Sequence, residues 1–105
     1  MLSKKDIMAL YYDGVELRFR RKKHPRGLKG DHDPSASEIN IYTANIVSEY
    51  ERDITILHEF IHARNDRKDF FDENDEGCEK VEREAKQTYR NRPYVLGLIK
   101  ELYKF

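Results

Sequence analysis

The chain has no tryptophan, a single cysteine, and no excess charge of either sign. Each shortage removes a class of answer. One cysteine, Cys78, leaves no internal disulfide framework and suits a reducing compartment. Twenty basic residues against twenty acidic ones give no global field toward nucleic acid or membrane. No apolar run approaches the ~20 residues of a membrane span, and MLSKKDIMALYYDG at the start has no signal-peptide core. The expectation is a cytoplasmic protein that engages no membrane and has no general affinity for nucleic acid. Only 38% of the 105 residues are apolar, which is thin for one domain over residues 1–105, so a bound metal or a homodimer contact would help its small core. Glutamine is scarce while Glu, Lys, Arg, Ile and Tyr are abundant, a bias shared with thermophile proteins.

What is present is ordered by period. Ser3 followed by Asp6 predicts a capped helix over residues 4–11, with Ile7, Leu10 and Tyr11 inward. Asp13-Gly14 ends it or turns a hairpin. Val15, Leu17 and Phe19 alternate with charged residues as a half-buried strand, and Ile39 and Ile41 mark a second. Between them, residues 24–37 hold two Gly and two Pro and read as a long surface loop. From about Ala44 to Arg64 apolar residues recur every three or four positions, giving one helix or two joined near Glu51. Residues 65–77 are polar and turn-rich, with Phe70-Phe71 as an anchor. Residues 78–91 read as a further helix stopped near Arg92 by Pro93. The apolar tail YVLGLIKELYKF reads first as a helix that caps the core, with a dimer face and a plug over a cleft as the alternatives. The fold class expected is α+β: a small twisted sheet of about three strands on two functional helices, with extra terminal helices.

Chemistry concentrates in TILHEFIHA, residues 55–63. Four residues turn an α-helix through about 400°, so His58 and His62 share a face and can meet at one ion. Glu59 lies a step around, suited to touch a water on that ion rather than the ion itself. Zinc lowers such a water's pKa to about 7, and a glutamate can take its proton during attack on a carbonyl. The plain alternative is a helix that spells the motif by chance. Against it, the flanking residues Ile56, Leu57, Phe60, Ile61 and Ala63 are apolar, and buried imidazoles need partners. A third ligand is required, and Glu79 and Glu82 are candidates on the next helix. Glu84 points about 200° away from Glu82. Glu82, between inward-looking Val81 and Ala85, is preferred.

LHEFIHA together with VEREA resembles the gluzincin zinc metallopeptidases, and the short chain is similar to their minimal archaeal members, the minigluzincins. Nineteen residues separate His62 from Glu82. The resemblance covers roughly residues 38–90. It implies His58, His62 and Glu82 as ligands of one zinc ion, Glu59 as general base and acid, and a peptide or protein as substrate. It also implies that EINIY, residues 38–42, is the edge strand that holds an extended substrate, and that the C-terminal segment covers the cleft of a latent zymogen. No second subdomain supplies an oxyanion partner; Tyr89, seven residues after Glu82, is the candidate within the chain, though a core tyrosine is the simpler reading. The rival function is a non-catalytic zinc-stabilised domain that binds a peptide or DNA.

Three other features have plainer explanations. RFRRKKHPR, residues 18–26, reads as a charged edge strand that resists pairing more readily than as a nucleic-acid arm. His32, between Asp31 and Asp33, would make a poor preformed metal site. Cys78 reads as a small buried residue rather than an extra ligand.

Overall fold

The computed structural model describes residues 1–67 and 75–105, with side chains over 1–67 and 79–105. The expected Phe70-Phe71 anchor and the Cys78 side chain lie outside these. The first helix, α1 (Lys4–Tyr12), opens on a reciprocal cap: the Asp6 amide donates to Ser3 Oγ at 3.2 Å and the Ser3 amide donates to Asp6 Oδ2 at 3.1 Å. Ile7 and Leu10 face the core, whereas Tyr11 is exposed, contrary to expectation. Asp13 closes the helix, and Gly14, with φ of +87°, redirects the chain into the first strand without a side-chain clash.

Three strands follow: β1 (Glu16–Arg20), β2 (Gly30–Asp33) and β3 (Glu38–Tyr42). Their order is β1-β3-β2, with β3 parallel to β1 and antiparallel to β2. The sheet is the small α+β layer that was expected, with two corrections. Residues 24–37 are not all loop, because Gly30–Asp33 is a strand. Its sequence, GDHD, has no apolar residue to announce it. The strand is held by ladder bonds to β3 and by two side-chain bonds to Asp31, from Asn40 Nδ2 at 2.9 Å and Tyr42 Oη at 2.7 Å. The second correction concerns EINIY. It is the central strand, paired on both sides, and so cannot take a further strand; β2 is an edge.

Ile39 and Ile41 point from β3 onto α2 (Glu49–Arg67), a nineteen-residue helix through the middle of the molecule. Ile56, Leu57, Phe60 and Ile61 on α2 are fully buried. The expected helical run from Ala44 begins late: residues 43–45 form a single 3-10 turn, and Val47 is 89% exposed. Ser48 Oγ accepts from the Glu51 amide at 3.1 Å and marks the start of α2. α3 (Asp75–Asn91) packs along α2. Both helices run into the predicted 65–77 loop, α2 as far as Arg67 and α3 from Asp75. α4 (Pro93–Tyr103) has proline in its first turn, where a missing N–H costs no helix bond. Val95, Leu96 and Ile99 bury against the core, so the tail is a capping helix, and Tyr103 Oη donates to the Val15 carbonyl at 2.8 Å. No helix among the described residues is long and apolar enough to cross a membrane.

Thr88 on α3 is fully buried, and its hydroxyl has no hydrogen-bond partner. Val has the same shape without the polar atom. Thr88→Val should therefore stabilise the protein by about 1 kcal/mol, read as a higher urea midpoint at unchanged slope; a lower midpoint would mean the hydroxyl is satisfied in solution.

Candidate metal centre

One face of α2 opens into a cleft of about 580 Å³ whose walls include His58, Glu59, Glu82, Tyr50, Thr55 and Gly30. His58 and His62 stand one turn apart, as their spacing requires, with Nε2 atoms 3.1 Å from each other. The Glu82 carboxylate reaches across from α3 and sits 2.8 Å from His58 Nδ1. Three of the four expected chemical groups are thus in contact, and the fourth, Glu59, lines the same cleft at 7% exposure.

As the side chains stand, no group of three or more His, Cys, Asp or Glu among the described residues has the arrangement of a metal site. Glu82 meets Nδ1 of His58, whereas His62 meets Nε2. Without a metal this is a continuous hydrogen-bond chain in which His58 Nδ1 donates to the carboxylate and His58 Nε2 accepts from His62. That tautomer leaves His58 with a lone pair on Nε2, the form that can ligate a cation, whereas His62 Nε2 holds a proton and would ligate in its other tautomer. The donor set is chemically suited to zinc, with two imidazoles and a carboxylate drawn from two helices.

The helices are fixed against each other beyond the cleft. Arg64 on α2 makes a two-pronged contact with Glu84 on α3, Nη1 to Oε2 at 2.5 Å and Nη2 to Oε1 at 2.9 Å. Both side chains are largely shielded, at 13% and 21% exposure, so this pair is less screened than a surface one. Glu84, set aside as a ligand, serves here to hold α3 in register. Glu79 is exposed and does not line the cleft.

Tyr89, the candidate oxyanion partner, does not line the cleft and packs against the core, as the simpler reading had it. It packs edge-on against Tyr50 at 5.0 Å and faces a neighbouring cavity lined by Asp53, Arg90 and Lys100. Tyr50 is the tyrosine on the cleft wall. Its signal was available, since Tyr50, Ile54 and His58 follow one another at four-residue steps. Gly30 was also missed. A Cβ there would lie 2.8 Å from Thr55 Cγ2 and 3.2 Å from Glu59 Cγ, so β2 passes close enough to the helix to admit only glycine. None of the cleft-lining residues comes from α4, so the expected C-terminal cover over the site is not part of this arrangement. His32 points away from the cleft into a small cavity with Asp13, Asp66 and Arg67. Burial lowers its pKa in spite of Asp66, Asp33 and Asp31 nearby.

Comparison with protein-family models, characterised proteins and solved structures gives no match to this chain.

Burial pushes the Glu59 carboxyl up to about 8, and the carboxylates of Asp31 and Glu82 add to the shift. In the folded, metal-free protein Glu59 keeps its proton up to about pH 8, while the unfolded chain loses it near 4.5. The folded state then binds the extra proton, so stability falls as pH rises through that window and levels off above it. The metal-free Glu59→Gln protein should escape this fall and gain on the parent between acid and mildly alkaline pH, by an amount on the order of a few kcal/mol. Denaturation curves of equal pH slope for the two proteins would contradict the assignment. Gly30→Ala, which forces Thr55 or the strand aside, should cost about 1–3 kcal/mol in the same measurement.

Proposed function

We propose that the chain is a zinc-dependent metallopeptidase of the gluzincin type, in which His58, His62 and Glu82 hold one zinc ion. The observation that carries this reading is the 3.1 Å approach of the two Nε2 atoms, with the Glu82 carboxylate on the same imidazole. Zinc, when bound, lowers the pKa of a water and polarises a carbonyl. Glu59 is the proton carrier: it takes a proton from the attacking water and gives it to the leaving amine. Its burial excludes competing water, and a cation beside it would favour the ionised form that a base requires. Glu82 rests on the far ring nitrogen, Nδ1, where it selects the His58 tautomer that exposes Nε2; it would join the ligand set by leaving that nitrogen. An extended peptide would lie along β2, whose outer edge is unpaired and whose Gly30 brings the backbone against Glu59. Tyr89 has no part in this reading, and neither does a C-terminal cover.

Glu59→Gln should keep zinc and lose cleavage by about 100- to 10,000-fold, measured by metal analysis and hydrolysis of a casein-derived peptide mixture. Glu82→Ala should release zinc at chelator concentrations that the parent withstands. Zinc retention by the parent without hydrolysis would favour a non-catalytic zinc-stabilised domain that binds a peptide or DNA. Absence of zinc from protein loaded with it would leave a metal-free helical fold.

A further inference from the structure

The chain that joins β1 to β2 forms one rim of the cleft, and Leu28, Lys29 and Gly30 belong to both. From Arg18 to Lys29 it holds seven lysines and arginines and no acidic residue, in a molecule whose net charge is zero. These cations fall into two groups. Arg18 pairs with Glu16 and Glu38, Arg20 with Glu38, and Lys29 with Glu51. Arg21, Lys22, Lys23 and Arg26 are exposed, and no carboxylate among the described residues pairs with them. Blocking of edge pairing explains Arg18 and Arg20, which lie on the edge strand β1, while Lys29 is held by Glu51. Blocking does not explain the second group, which lies beyond the strand. On the opposite wall of the cleft, Lys86 stands 4.0 Å from Glu82. None of the four unpaired cations of the rim lines the cleft itself, but Arg26 adjoins Gly27, which does; the cleft's own acids are Glu51, Glu59 and Glu82.

We propose that residues 21–29 are a docking rim for acidic polypeptide, so that the substrate of the site is a segment rich in Asp and Glu. The substrate class rests on the peptidase reading above, whereas the docking itself does not. Like-signed segments are rejected by the same four charges, so the rim selects as well as attracts. A peptide is favoured over nucleic acid because no exposed aromatic residue lies among the four cations to stack a base, and because the rim opens into a cleft beside an unpaired strand edge.

Fluorescence anisotropy with short labelled peptides tests this, using the Glu59→Gln protein to prevent turnover. A Glu-rich peptide should bind at least about tenfold more tightly than a Lys-rich one of equal length. The preference should vanish near 1 M salt, where the screening length is about 3 Å. It should also vanish when Arg21, Lys22, Lys23 and Arg26 are all changed to Glu, with circular dichroism and zinc content as controls for folding. Equal binding of the two peptides by the unreversed protein overturns the proposal. Tighter binding of duplex DNA than of the acidic peptide, lost in the charge-reversed variant, overturns it in favour of a nucleic-acid surface. Acidic-peptide binding by the parent chain, if that chain takes up no zinc when loaded with it, supports the rim while refuting the peptidase reading.

Discussion

Enclosure of α2 is the constraint on which the rest depends. Sheet, α1 and α3 all pack against this helix, so few of its positions face open water. Desolvation on that scale forbids an unsettled charge. Several of its shielded polar residues are accordingly paired. Asp53 is met by Arg52 and Lys100, Asn65 accepts from Arg64, and His58 lies between Glu82 and His62. Glu59 has no such partner, and its burial is expressed as an elevated pKa. Its carboxyl lines the same cleft as His58 and Glu82.

The interface between α2 and α3 carries two clasps of different character. Arg64 with Glu84 is a forked, partly shielded ion pair that no metal is needed to complete. His58 with Glu82 is a single contact at the cleft mouth, and Glu82 is 42% exposed. The first sets the spacing of the helices; the second can exchange partners without disturbing it. The rigid clasp shares no atoms with the adjustable one, so a movement of the Glu82 side chain leaves the helix spacing alone.

Much of the site was legible in the sequence because an α-helix has a fixed period. His58 and His62 had to share a face, and Glu82 lay on the inward side of α3 with Val81 and Ala85. The capping box at Ser3, the stop at Pro93 and the alternation in β3 are similarly local signals. What could not be read came from tertiary partners. β2 owes its strand to Asn40 and Tyr42 across the ladder, since GDHD has no hydrophobic alternation. The order of strands was equally hidden: β3 reads the same in the centre as at an edge. Helical offset alone could not choose between the two readings of Tyr89; the choice depends on Tyr50, which packs against it and takes the place on the cleft wall.

The brevity of β2 has a consequence for anything that lies beside it. An antiparallel neighbour exchanges both of its main-chain bonds only at alternate residues, and β2 has four residues, the last of them facing the turn into β3. The ladder available to a visiting chain is therefore about two rungs long. Main-chain pairing on that scale orients a guest without retaining it, so residence time must be governed by side-chain contacts on either hand, and release should be quick.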